Sequence, residues 1–167
     1  RPLVDVVDAR AIVTAVVHRR ASLPHELREE LPCLLAVHDV AEARVLARDA
    51  GRIALATATH RDPANPLRRD GVLHALHLCE YGAQAMAIHG GLCAQAAGSR
   101  AAPGLLVSLR DVQLHAQRID TLEGELRIEA ERLLESAGSW QYAFRAWHGK
   151  RLLAEGRAAV IARQSAS

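Results

Sequence analysis

Any fold of this chain must accommodate the stretch VLHALHLCEYGAQAMAIHGGLCAQAA, residues 72–97. It contains no Pro and only scattered β-branched residues, is rich in Ala and Leu, and follows Pro66 and the turn-forming Arg69-Asp70-Gly71. Those conditions predict a helix over 72–97. Apolar side chains (Leu73, Leu76, Cys79, Ala83, Met86 and Leu92 among them) fall on nearly every face, the pattern of a helix enclosed by other structure. The rest of the chain has to supply the enclosure.

Strand signals flank that helix. Residues 32–40 are apolar enough for a buried strand, and 43–47 with 52–59 form a hairpin across Asp49-Ala50-Gly51. Residues 59–71, with two Pro, a Gly and several charges, read as a loop leading into the helix. After a turn at 98–103 come a strand over 105–114 and a charged/apolar alternation over 125–131. The stretches 140–147 and 152–162 then pair as a hairpin across His148-Gly149-Lys150. On 140–147 the residues Trp140, Tyr142, Phe144 and Ala146 share a face. Residues 1–22 read as strand or short helix and carry no assigned chemistry. The pattern is α+β, simplest as a sheet packed around one helix.

The polar groups within the helix are where chemistry is sought. His77, Glu80 and Gln84 share one stripe. A carboxylate on a buried helix needs partners or a shifted protonation equilibrium. Glu80 therefore reads either as a structural acid satisfied by Gln84 or as an acid/base group in an apolar acyl pocket. His77 points the same way as Glu80 and reads as structural. His89, nine positions past Glu80, is half a turn out of phase and faces elsewhere. The 59–71 loop reads as a solvated linker or as a feature that directs backbone N–H groups at an atom gaining negative charge near the helix N-terminus.

The run Glu80-Tyr81-Gly82-Ala83-Gln84-Ala85-Met86-Ala87 resembles the E-x-[ML]-A-Q-[AT]-x-A central-helix signature of the hot-dog-fold 3-hydroxyacyl-ACP dehydratases. Within that family it is most similar to the divergent branch of aryl polyene and xanthomonadin-type pigment clusters. Leu23-Pro24-His25 and Pro32-Cys33-Leu34-Leu35-Ala36-Val37 resemble the family's L-P-H and P-[FM]-L-L-[LV]-D opening, with extra residues between them. The similarity extends over roughly 23–162. One departure stands out: the family's H-F-P-G-x-P-x-x-P-G-V segment is replaced by His60-Arg61-Asp62-Pro63-Ala64-Asn65-Pro66, and His60 lies 20 positions before Glu80, further than in the family.

The resemblance implies an antiparallel sheet wrapped around the central helix. It divides the chain into an N-terminal extension (1–22), one hot-dog domain (23–163) and a tail (164–167). It implies dehydration of a 3-hydroxyacyl thioester, carried by acyl carrier protein or CoA, in a polyene pigment or fatty-acid-like pathway. Glu80 and His60 would be the catalytic pair, with His74 and His77 as the other histidine candidates, and Gly71, Leu76, Gln84 and Met86 would bind substrate, with Leu76 and Met86 lining an apolar tunnel. No cofactor or metal is called for. A homodimer with joined sheet edges is expected. An acyl thioesterase and a non-catalytic acyl-binding hot-dog subunit remain open beside the dehydratase.

Composition narrows the classes further. At 167 residues the chain fits one core. A formal charge of +2 with interspersed signs offers no face for nucleic acid. Cys33, Cys79 and Cys93 lack metal or redox spacing and read as buried thiols of a reducing compartment. The apolar run 11–17 is too short to span a membrane and lacks a basic start, so a cytoplasmic location is expected. No H-E-x-x-H, G-x-S-x-G or phosphate-binding glycine loop is present.

Overall fold

A computed structural model describes residues 43–99 and 104–162. The readings placed on 1–22, on 23–25, on the strand at 32–40 with Cys33, and on the tail lie outside those residues. The elements run β1 (Arg44–Arg48), β2 (Arg52–Thr57), α1 (Leu78–Ala96), β3 (Gly104–Leu114), β4 (Leu126–Ser136), β5 (Ser139–His148) and β6 (Arg151–Ala162). Short 3₁₀ turns at Thr59–Arg61 and Ala75–His77 precede the helix. All strand pairs are antiparallel, in the order β1-β2-β4-β5-β6-β3. The six strands and one long helix among the described residues make a hot-dog fold, as expected from the resemblance.

Local chemistry accounts for the punctuation. In the β1–β2 turn the Asp49 carboxylate accepts from the backbone N–H groups of Gly51 and Arg52 at 2.8 and 3.0 Å. Along β4, Leu126, Ile128 and Ala130 are buried while Arg127 and Glu131 are exposed, so the alternation read at 125–131 is a strand with one wet and one dry face. On β5 the buried residues Tyr142, Phe144 and Ala146 keep the expected face.

The helix is shorter than its apolar pattern predicts. It begins at Leu78 instead of residue 72. Asp70 and Gly71 take positive φ values of 51° and 76° and close a two-residue turn in which Arg69 and Val72 exchange backbone hydrogen bonds at 2.9 Å. Leu73 then donates to the Asp120 carboxylate and accepts from Ile119 N–H, and Ala75 N–H donates to Gln117 O. The backbone of Val72 is thus committed to Arg69 and that of 73–75 to the 117–120 segment, which leaves neither for helix bonds.

From Leu78 on, α1 extends about 28 Å at 1.5 Å per residue and packs against β2, β4, β5 and β6. Twelve of its 19 residues are buried, which agrees with the all-round apolar pattern. Phe144 on β5 packs against α1 at Gly82. A Cβ added at Gly82 of α1 would stand 2.7 Å from the Phe144 ring, and one added at Gly156, its register partner on β6, 2.8 Å from it. The two glycines let the helix and the neighbouring strand close on that ring.

Candidate active site

Glu80 sits in the first turn of α1 and is 7% exposed. Gln84, one turn on and also buried, donates from Nε2 to Glu80 Oε1 at 3.1 Å. This is the i, i+4 pairing expected of the stripe. His77, the third member, occupies the N-cap position of α1 and is half-buried. Burial, then Arg69 and His74, hold its pKa below the ordinary histidine value.

His60 lies in the 3₁₀ turn after β2 and is fully buried. Its Nε2 is 3.0 Å from the carbonyl oxygen of Leu122 and donates to it, because a carbonyl can only accept. Nδ1 is then the unprotonated nitrogen, and it has no hydrogen-bond partner among the described residues. Burial lowers the pKa of His60, with Arg61, His148 and Arg68 acting in the same sense and the Leu122 bond opposing them. The side chain is a neutral imidazole whose Nδ1 is buried and unpartnered among the described residues. It makes no hydrogen bond to Glu80.

Two sets of bonds fix the loop carrying His60. Arg68 donates to the backbone carbonyls of Asp62, Gly71 and His60 at 2.8, 2.6 and 3.0 Å. Asp120, whose side chain is 6% exposed, accepts from Arg118 and from Leu73 N–H. The Arg118 bond is the main reason its pKa falls to about 2. On the other side, the hydroxyl of Tyr81, the residue after Glu80, lies 3.2 Å from both Thr59 Oγ1 and Asn65 Nδ2.

The expected substrate-binding residues are dispersed. Met86 and Gln84 are buried on α1. Leu76 is 58% exposed on the turn before it, and Gly71 is exposed in the Asp70-Gly71 turn with its carbonyl held by Arg68. Two concavities of about 360 and 340 Å³ are formed by the β1–β2 turn with the end of β4 and by the exposed faces of β1, β2, β4 and β5. Neither borders Glu80. His89 faces away from Glu80 as expected: its Nδ1 lies 2.9 Å from Tyr142 Oη, and its Nε2 donates to Asp49 O at 3.0 Å. Among the described residues no group of three His, Cys, Asp or Glu could hold a metal ion, and no helix is long and apolar enough to cross a membrane.

A model of the ApeP-like family, described as ApeP dehydratase, matches residues 43–167. The chain belongs to the ApeP-like family. A sequence search of curated proteins gives no match to this ApeP-like chain. Among solved structures it is similar to the dehydratase heterocomplex ApeI:P from Xenorhabdus doucetiae, with a TM-score of 0.64 and 17% identity over 72% of this chain and 81% of that one. It is also similar to AziG from S. sahachiroi (TM-score 0.53, 16% identity, 74% and 93% covered). A third is a mutant of a thioesterase from Staphylococcus aureus (TM-score 0.52, 13% identity, 74% and 94% covered). At such identities these likenesses concern the fold alone.

Tyr81, Asn65 and Thr59 of the ApeP-like chain carry a polar network for which the sequence reading had no role. Its one visible signal was a Tyr in an apolar helix, since a buried hydroxyl requires a partner. The neutral histidines also set a pH dependence. Burial holds the folded pKa of His60 and His89 below 6.5, so the unfolded chain takes up protons first as pH falls. Their contribution is complete above about pH 6.5 and is lost below it as the folded pKa values are approached. The denaturant midpoint is therefore expected to fall between about pH 7 and 5, with a shallower fall for His89→Gln. A midpoint flat across that window would contradict the assignment of both imidazoles as neutral.

Proposed function

We propose that this chain dehydrates a 3-hydroxyacyl thioester, held by acyl carrier protein or CoA, to the 2-enoyl thioester in a polyene pigment pathway. The observation that carries the reading is a buried carboxyl, Glu80, on the signature helix, together with a buried neutral histidine, His60, that keeps Nδ1 as an acceptor. Membership of a dehydratase family supports it. Nδ1 of His60 would take the proton from C2, and that C–H pair becomes the C2=C3 bond. Glu80 in its acid form would protonate the C3 hydroxyl, which leaves as water. Gln84 orients Glu80. The 59–71 loop and the positive end of the α1 dipole favour negative charge developing on the thioester oxygen. Leu76, Met86 and Gly71 would meet the acyl chain and its carrier arm.

A second reading is supported by the absence of a His60–Glu80 bond and by the neighbour being a dehydratase heterocomplex. In it, the chain contributes Glu80 to a site that a different subunit completes. Product analysis decides between the chemistries. Incubation with a 3-hydroxyacyl thioester, alone and with a candidate partner subunit, is expected to yield the enoyl thioester with the thioester intact. Release of free thiol would instead mark a thioesterase.

Self-association is part of the same proposal. Among the described residues β3 is a terminal strand of the sheet and exposes Val107, Leu109, Val112 and Leu114, an apolar edge that invites a second strand. Sedimentation at micromolar concentration is expected to show a dimer. A monomer that dimerises only with another subunit would contradict the homodimer and favour the second reading.

A further inference from the structure

We propose that the Tyr81 hydroxyl is the positioning group that holds the His60 loop in register with Glu80; this rests on the acid–base reading of those two residues. His60 and Glu80 belong to separate elements and are not bonded to each other, so their relative placement depends on what joins the elements. Tyr81 directly follows Glu80 on α1 and is fully buried. Successive helical side chains diverge by about 100°, which turns its ring toward the loop while Glu80 pairs with Gln84.

The hydroxyl reaches residues on both sides of His60 in the chain. Thr59 Oγ1 and Asn65 Nδ2 each lie 3.2 Å from it. Asn65 Nδ2 also donates to Thr59 O at 3.0 Å, and Asn65 Oδ1 accepts from Leu67 N–H at 2.9 Å. Thr59 Oγ1 in turn lies 3.0 Å from Thr57 Oγ1 at the end of β2. The Tyr81 oxygen is therefore a junction between the helix that bears the carboxyl and the loop that bears the imidazole. Phe at this position keeps the ring packing and removes the junction, which leaves Asn65 with a donor to place elsewhere.

The test is a double-mutant cycle on turnover of the N-acetylcysteamine thioester of 3-hydroxybutyrate, read as 2-enoyl thioester formed. Tyr81→Phe is expected to lower kcat about tenfold with KM within about twofold, because small misplacements of reacting groups act on the chemical step. Added to His60→Ala, the same change is expected to cost nothing further. Half-exposed Thr59 tests the link from its other end should Tyr81→Phe not fold: Thr59→Val reproduces the loss, and Thr59→Ser restores the rate.

Two results overturn the coupling and leave the acid–base reading standing. One is a Tyr81→Phe loss that multiplies onto that of His60→Ala. The other is normal turnover by Tyr81→Phe and Thr59→Val beside a crippled His60→Ala protein. Undiminished turnover by His60→Ala, or no turnover by the unsubstituted protein alone or with its partner subunit, overturns the functional reading and the coupling with it.

Discussion

Glu80→Gln is expected to lower turnover of a 3-hydroxyacyl thioester by about 10²- to 10⁴-fold while the fold and self-association persist. Gln matches Glu in size and can still pair with Gln84, whose amide flips to present either group, so the local packing at this buried position survives. What Gln lacks is a proton to give to the departing hydroxyl. If Glu80 were only the structural partner of Gln84, the same change would alter stability or expression and leave the rate per folded molecule intact. Kinetics on protein shown to be folded by circular dichroism separates the two.

Phe144→Ala is expected to destabilise the protein by about 3–5 kcal/mol, the range for removing a fully buried aromatic ring. The ring is 1% exposed and lies between Gly82 of α1 and Gly156 of β6. Neither neighbour has a side chain that could move in to fill the space. The converse change, Gly82→Ala, forces a methyl to within 2.7 Å of a ring whose other end stands against Gly156. About 1–3 kcal/mol is expected there from overpacking. Gly82→Ala combined with Phe144→Leu should cost less than the two single changes together, since the smaller residue yields room. Denaturant titration reads all four proteins, and simple additivity would contradict this packing.

Those two outcomes probe features of unequal visibility in the sequence. The enclosed helix was legible because apolar side chains on all its faces leave few other solutions, and β4 was legible because Leu126, Ile128 and Ala130 alternate with charged residues. The first six residues of the expected helix were misread. Leu73 and Leu76 continue the helical pattern, but the bonds that divert the backbone of Leu73 and Ala75 come from Gln117, Ile119 and Asp120, more than forty positions along the chain. No local window contains that information.

The same distinction applies to the site. The Glu80–Gln84 pair lies one turn apart on a single helix and follows from spacing alone. The partner of His60 is the Leu122 carbonyl, 62 positions away. The Thr59–Tyr81–Asn65 junction joins a loop to a helix, and a loop has no period to reveal which way its side chains face. The Phe144 lock needed three elements to be known at once, and in the sequence it is only two glycines and an aromatic residue.

Dehydration by this site requires that His60 and Glu80 move protons at C2 and C3 of an acyl thioester without breaking the thioester bond. Running the reaction backwards in heavy-oxygen water tests it most directly. A 2-enoyl thioester incubated with the protein, with its partner subunit if one is required, is expected to become a 3-hydroxyacyl thioester labelled in the C3 hydroxyl, with the labelling rate greatly reduced in Glu80→Gln and in His60→Ala. Heavy oxygen appearing instead in a free carboxylate, with the C3 position unlabelled, would contradict the claim and identify hydrolysis of the thioester as the reaction.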